Sequence, residues 1–396
     1  AQDPNTRALS VSRKDRGAIL PLGKSKGQPF WYATNGIFTT SRYYSDTLPT
    51  WVRDFNARRL PQSYAGKTWD LLLPPASYTE PDTVALESNG NDFVFPHHFP
   101  ATPEATAAYL LTFPMMDDVT LQFAMAGLQA RDLGANPSRT DLLAISLSTT
   151  DAIGHRFGPD SREEHDQIVR LDRYLGVFLD SLYKLRDSTR IIIALTADHG
   201  VAPIPNASVK SRYRTSSSTG FADVLPVVRA IYKSLQQAGV DTSAYRWEDN
   251  FLVLDPAGLA KKGIKRDSIA RVYAAAFARV DGVLRSDVVS ELARKDTTKD
   301  AIARRWIHML SPDLNAAVTV TLKPYFYTAG IPLVATHGSP HDYDAHVPVL
   351  FFGTPFKGGR YGEFARVVDI APTLASVLGV KPMERLDGHV LTSAIR

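Results

Sequence analysis

The chain has 396 residues, 45 Lys and Arg against 41 Asp and Glu for a net charge of +4, 44% hydrophobic residues and 10% aromatics, enough apolar material for a large core, which excludes a disordered chain. Its longest apolar runs are short and bounded by Asp, Pro or Gly, which excludes a helical membrane span of about 20 residues. With no cysteine there is no disulfide, thiolate metal site or cysteine nucleophile, so any metal must be held by His and carboxylates; the basic residues are scattered, which argues against a specific nucleic-acid partner.

In chain order, Ala8 to Ser12 reads as a short strand, followed by the charged triplet Lys14, Asp15, Arg16 and an apolar run, Ala18 to Leu20, stopped by Pro21 and Gly23. Aromatics and Thr alternate from Phe30 to Tyr44 as in a hairpin or sheet edge, and Pro49 with Trp51, Val52 and Phe55 opens an amphipathic helix. Residues 61–100, rich in Pro, Ser, Asn and Asp, read as a long surface excursion around short strands. Helical spacing runs from Asp117 through Leu133. Asp141 to Ser148 is then a continuous apolar run suited to a strand buried on both faces.

Ser161 with Glu164 forms a capping box, and Ile168, Leu171, Leu175, Phe178 and Leu182 share one face of a long helix leading to a strand at Arg190 to Leu195. Strand, helix and parallel strand make a right-handed crossover, so the expected fold is α/β, a mostly parallel central sheet sandwiched by helices. Residues 206–325 change character, with a Ser/Thr-rich loop, helices near Val224 to Gln237 and Ile269 to Val280, and strands at Phe251 to Leu254 and Val318 to Leu322. They read as an inserted α+β subdomain within a core formed by residues 1–205 and 326–396. That core closes with a strand at Val347 to Phe352 and a helix from Ile370 to Leu378.

The two expected parallel strands each run into an Asp and a His: Asp151 and His155 after the first, Asp198 and His199 after the second. Ligands of open α/β sheets bind beyond the carboxyl ends of the strands, so these four side chains are placed to converge, and Thr336-His337-Gly338 supplies a fifth donor. Imidazole and carboxylate suit Zn²⁺ or Mn²⁺, and a pair of such ions can clamp both oxygens of an in-line phosphoryl displacement. The competing reading is a set of polar turns after strands.

Asp151-Ala-Ile-Gly-His155, Thr196-Ala-Asp198-His199-Gly200 and Thr336-His337-Gly338-Ser339 with Tyr343-Asp344 resemble, in order and spacing, the nucleotide pyrophosphatase/phosphodiesterase-like branch of the alkaline phosphatase superfamily. Ser12-Arg-Lys14-Asp15-Arg16 followed by Ala18-Ile-Leu-Pro21 resembles more narrowly the PafA-type bacterial alkaline phosphatases. The resemblance implies an alkaline-phosphatase-like fold and two zinc ions, one held by Asp151, His155 and His337, the other by Asp198 and His199. It also implies that Lys14 and Arg16 contact the transferred phosphoryl group, that the substrates are small phosphate monoesters, and that the protein is periplasmic or secreted. Two fixed cations at that spot favour a monoester dianion over a diester.

The family's nucleophilic Thr or Ser, its phosphate-binding Asn and one further Asp ligand lie upstream of the Lys-x-Arg segment and have no counterpart among the thirteen residues before Lys14. Three explanations stand: a chain whose N-terminal portion lies upstream of Ala1, which is the expected one; a degenerate member; or substitution by Thr34, Thr39 or Thr40. Phosphodiesterase chemistry on the same metals, or a noncatalytic phosphate-binding role, are the alternative functions. Of the other histidines, His97 and His98 read as a surface or substrate-rim pair in a Pro-flanked turn and His165 as solvent-facing; His341 and His346 flank Asp344 near His337, where orienting a ligand is one reading among others; the Pro324 to Tyr327 aromatics read as core.

Overall fold

The computed structural model describes residues 5–205, 220–330 and 333–396. In chain order the elements are β1 (Ala8–Ser12), α1 (Asp15–Ile19), β2 (Gln28–Tyr32), β3 (Phe38–Thr39), α2 (Thr50–Ala57), β4 (Thr68–Trp69), β5 (His97–His98), α3 (Pro103–Tyr109), α4 (Met115–Ala130), β6 (Leu142–Ser146), α5 (Thr149–Phe157), α6 (Arg162–Leu185) and β7 (Ile193–Thr196). There follow β8 (Gly220–Ala222), α7 (Leu225–Gln237), β9 (Tyr245–Glu248), β10 (Phe251–Leu254), α8 (Pro256–Ala260), α9 (Arg266–Phe277), β11 (Val283–Val288), α10 (Val289–Leu292), α11 (Ala301–Met309), β12 (Ala316–Leu322), β13 (Phe326–Thr328), α12 (Asp342–Ala345), β14 (Val349–Phe352) and α13 (Ile370–Val377). They form two compact units, one of Ala1–Phe157, Ser161–Asp198 and Pro348–Arg396, the other of Gly158–Asp160 and His199–Val347. The Ser/Thr-rich loop expected after residue 205 lies outside the described residues.

In the first unit a mixed sheet runs in the order β3-β2-β1-β6. β1 is parallel to β2, Leu9 opposite Gln28, and parallel to β6, Ala8 opposite Leu142, while β3 closes the far edge antiparallel. A strand with parallel neighbours on both sides is covered on both faces, and Leu9, Ser10, Val11 and Ser12 are all fully buried. Leu9 and Val11 join Phe30, Phe38, Phe123 and Ile153 in one apolar cluster, in which the Phe38 and Phe123 rings stack 3.9 Å apart. Strand β1 is thus pinned from every side, and the charged triplet that follows it starts from a fixed point.

The other end of the sheet departs from expectation. β7 pairs antiparallel with β14 and is not hydrogen-bonded to β6, so among the described residues β6 and β7 each keep one edge without a strand partner. The run at Asp141 to Ser148, expected to be buried on both faces, forms a shorter strand whose Leu142 is 45% exposed. Helix α6 starts where expected, with Glu164 N donating to Ser161 Oγ at 3.0 Å. Of its five apolar positions, however, only Leu182 is buried, and Ile168 is exposed. Leu195, Leu350 and Phe352 are exposed as well. The exposed positions of β6, β7 and β14 lie on strands that each keep one edge without a strand partner among the described residues.

The second unit is built on an antiparallel sheet in the order β11-β12-β10-β9, with β12 buried at every residue. Helices α7 and α9 close its core through Ile231, Leu235, Ala270 and Phe277, packed with Leu252, Leu254, Val318 and Val320. A short parallel pair, β13 with β8, lies in the same unit.

Candidate active site

The first unit assembles one part of the site from β1, α1 and α5. Lys14 follows β1 directly; its backbone N–H donates to Ser12 Oγ at 3.0 Å, and its ammonium forms an ion pair with Asp151. The turn is tight because residue 17 is a glycine: a Cβ there would sit 2.6 Å from Ser12 Oγ and 2.7 Å from Ser146 Oγ, so α1 can lie this close to the ends of β1 and β6 only without a side chain. Asp151 is not a strand-end residue, as its position after the apolar run suggested, but belongs to the first turn of α5. His155 stands one helical turn on, its Nε2 3.1 Å from Asp151 Oδ1. Arg16 is exposed on α1, and Asp198 is exposed just beyond β7.

Burial sets the electrostatics around this part. Arg13 sends a guanidinium N–H to the Leu111 carbonyl, and burial lowers its pKa against the attraction of Asp151 and Asp117. Asp117, on α4, is pushed up to about 6 by burial, although it accepts from Thr149 Oγ1 at 2.6 Å and Gln167 Nε2 at 2.9 Å. Glu164 is held well above the carboxylate range by burial and by the nearby charges of Asp151 and Asp117. The surface reading of His97 is corrected: the ring is fully buried, Nε2 3.0 Å from Glu163 Oε1 and Nδ1 3.3 Å from Asp92 Oδ1, because β5 pairs with β4 and turns it inward. His165 is likewise half-buried, with Nδ1 2.9 Å from Glu80 Oε2.

The second unit supplies the other part. The His199 and His337 rings stack with centroids 3.4 Å apart. Their two segments are tied together by backbone bonds from Gly200 N to the Asp344 carbonyl at 2.7 Å and from Ala202 N to the Thr336 carbonyl at 3.1 Å. Gly200 permits this approach, since a Cβ would meet the Tyr343 carbonyl at 2.1 Å. Tyr327 completes the clamp: its buried hydroxyl donates to the Ala202 carbonyl at 2.8 Å and accepts from Thr336 N at 3.0 Å. His199 Nδ1 lies 2.9 Å from the Gly200 carbonyl, so Nδ1 carries the proton and Nε2 presents a lone pair. His341 gives its Nε2–H to the Leu322 carbonyl at 2.8 Å, and His346 is exposed.

Lys14, Asp151 and His155 therefore meet in one unit, and His199 and His337 meet in the other. Carboxylates beside imidazoles, one of them with its tautomer set for coordination, are a donor set that fits a borderline divalent cation such as Zn²⁺. Asp117 and Tyr327 are supporting residues that sequence pattern alone does not expose, whereas Asp344 already stood in the Tyr343-Asp344 pattern. Asp117 reads as one of two acidic residues opening α4 and Tyr327 as one of a cluster of aromatics, and Asp344 is fixed by burial and its bond from Ser339 N at 2.7 Å. Thr34, Thr39 and Thr40 gain no support as nucleophile: β3 closes the sheet edge two strands from β1, and Thr39 Oγ1 is turned to the Thr40 carbonyl.

Comparison with known proteins identifies the family. The profile of the type I phosphodiesterase / nucleotide pyrophosphatase family matches residues 12–340. The chain is 31% identical to alkaline phosphatase PhoV of Synechococcus elongatus, over 99% of this chain and 70% of that protein, and 30% identical to alkaline phosphatase PafA of Elizabethkingia meningoseptica, over 98% and 72%. The crystal structure of PafA superimposes with a TM-score of 0.86 at 29% identity, covering 99% of this chain and 75% of that one. The chain belongs to the type I phosphodiesterase / nucleotide pyrophosphatase family, as an enzyme of its PafA-like alkaline phosphatase group.

Proposed function

We propose that this phosphate-monoester hydrolase is a two-zinc enzyme, with Asp151, His155 and His337 holding one ion, Asp198 and His199 the other, and Lys14 and Arg16 gripping the phosphoryl oxygens. The observation that carries the reading is the ion pair of Lys14 with Asp151, which puts a phosphate-recognising cation and a metal-ligating carboxylate at one point. When bound, the ions would activate the attacking oxygen and stabilise the leaving one. The chain's own groups do the rest. Lys14, fixed by the buried end of β1, presents its ammonium where a dianion carries more charge than a diester. Gly200 O holds the Nδ1 proton of His199, which leaves coordination to Nε2.

In this reading the chemistry passes through a covalent phospho-Thr or phospho-Ser. Among the described residues β6 and β7 each keep an edge without a strand partner, with exposed apolar side chains beside them, which supports a further strand bearing the remaining carboxylate ligand and a nucleophile at the start of the helix after it, both upstream of Ala1. Kinship with the alkaline phosphatases supports a periplasmic or secreted location. The test is Asp151→Ala in the full chain: zinc content and aryl phosphate hydrolysis are both expected to be lost, and turnover retained without bound metal would reject the reading.

A further inference from the structure

Helix α5 carries both Asp151 and His155, yet little in its own sequence fixes it. It spans nine residues, opens on two β-branched threonines and has Gly154 in its interior, none of which favours a stable helix. What holds its first turn is a carboxylate from another helix. Asp117 of α4, 1% exposed, accepts from the Thr149 hydroxyl on Oδ1 at 2.6 Å and from the Thr149 backbone N–H, while Oδ2 accepts from Gln167 of α6 at 2.9 Å. Gln167 Nε2 also reaches Thr150 Oγ1 at 3.2 Å. Asp117 therefore acts as an N-cap supplied from outside the helix, its negative charge at the end that favours one.

The position of this cap matters for chemistry. Thr149 and Thr150 are the two residues before Asp151, and His155 follows one turn later, so a shift or rotation at the start of α5 moves both ligands together. Arg13, the residue before Lys14, lies within electrostatic reach of Asp117, which links the segment bearing the phosphate-binding cation to the same buried carboxylate.

We propose that Asp117 is a positioning residue of the active site, which sets the place of Asp151 and His155 by capping α5 through Thr149 and joining it to α6 through Gln167. This rests on the reading of Asp151 and His155 as metal ligands. The test uses the full-chain enzyme and measures zinc affinity by chelator competition, beside the unfolding temperature of the metal-free protein. Thr149→Val, nearly isosteric but without the hydroxyl, is expected to weaken zinc binding by about tenfold or more, the usual effect of losing a group that orients a ligand, and Asp117→Asn by at least as much. Thr149→Ser, which keeps the hydroxyl, is expected to recover most of the affinity.

A role in packing alone would lower the unfolding temperature and leave zinc affinity untouched, so wild-type affinity in Thr149→Val overturns the proposal whatever its stability. If Asp117→Asn does not fold, the Thr149 pair decides. Asp151→Ala separates the two levels. Zinc affinity unchanged in Asp151→Ala removes the ligand reading and this proposal with it, whereas loss there with full affinity in Thr149→Val removes this proposal only.

Discussion

Replacing Lys14 by Ala removes an ammonium that is 20% exposed and paired with a carboxylate that is 16% exposed. Two unit charges about 4 Å apart at an effective dielectric of about 20 attract by about 4 kcal/mol, and partial exposure of both groups reduces this to about 1.5–3 kcal/mol, the range of a charge-assisted hydrogen bond. Against a bound dianion, that loss corresponds to about a 10- to 150-fold fall in kcat/KM, since 1.4 kcal/mol is a factor of ten. A diester presents one negative charge fewer and should lose about half that energy, about 0.8–1.5 kcal/mol, or about a 3- to 12-fold fall on the same Coulomb scale. The assay compares kcat/KM for an aryl phosphate with that for the corresponding methyl aryl diester, in wild type and Lys14→Ala, with zinc content measured in both. Zinc content should persist, because Lys14 supplies no coordinating atom in this reading. Equal falls on the two substrates, leaving their ratio at the wild-type value, would refute the argument that Lys14 recognises the dianion.

Two further changes test the framework around the site. Gly17→Ala places a Cβ 2.6 Å from Ser12 Oγ and 2.7 Å from Ser146 Oγ and should cost about 1–3 kcal/mol of stability by overpacking, read as a lower thermal midpoint. Glu87, 3% exposed, is pushed up to about 9 by burial and then by the charges of Glu163 and Asp82, with Arg162 opposing them. The folded protein therefore retains a proton that the unfolded chain has released above its ordinary value of 4.5, so the contribution of Glu87 to stability declines as pH rises from there through about 9. Glu87→Gln cannot lose that proton, and its melting temperature should gain on the wild type steadily between pH 5 and pH 9; parallel profiles would show that Glu87 does not titrate in that window.

Much of this was legible in the sequence because it depends on local pattern. Strand β1 runs over the expected five residues, and Ser161 caps α6 as its spacing with Glu164 suggested. The three motif histidines and two aspartates were visible as short local patterns, Asp-Ala-Ile-Gly-His, Asp-His-Gly and Thr-His-Gly. Helix α5 was not visible: two threonines and a glycine give it weak intrinsic preference, and its N-terminal partner, Asp117, lies 32 residues earlier. His97 was misread for the same reason. A Pro-flanked His pair looks like a surface turn until β4 pairs with β5 and Glu163 arrives from a distant helix. The burial of β6 and α6 was overestimated because an apolar pattern states what a segment can bury, and the sheet edges decide what covers it.

Those bare edges have a practical side. Leu-Leu-Ala-Ile-Ser in β6 and Ile-Ala-Leu-Thr in β7 contain no lysine, proline or other gatekeeper, and Leu350 and Phe352 lie open beside β7. Copies of this chain thus offer one another sticky, uncharged ladders, and the amides along these edges can template clumping from one copy to the next.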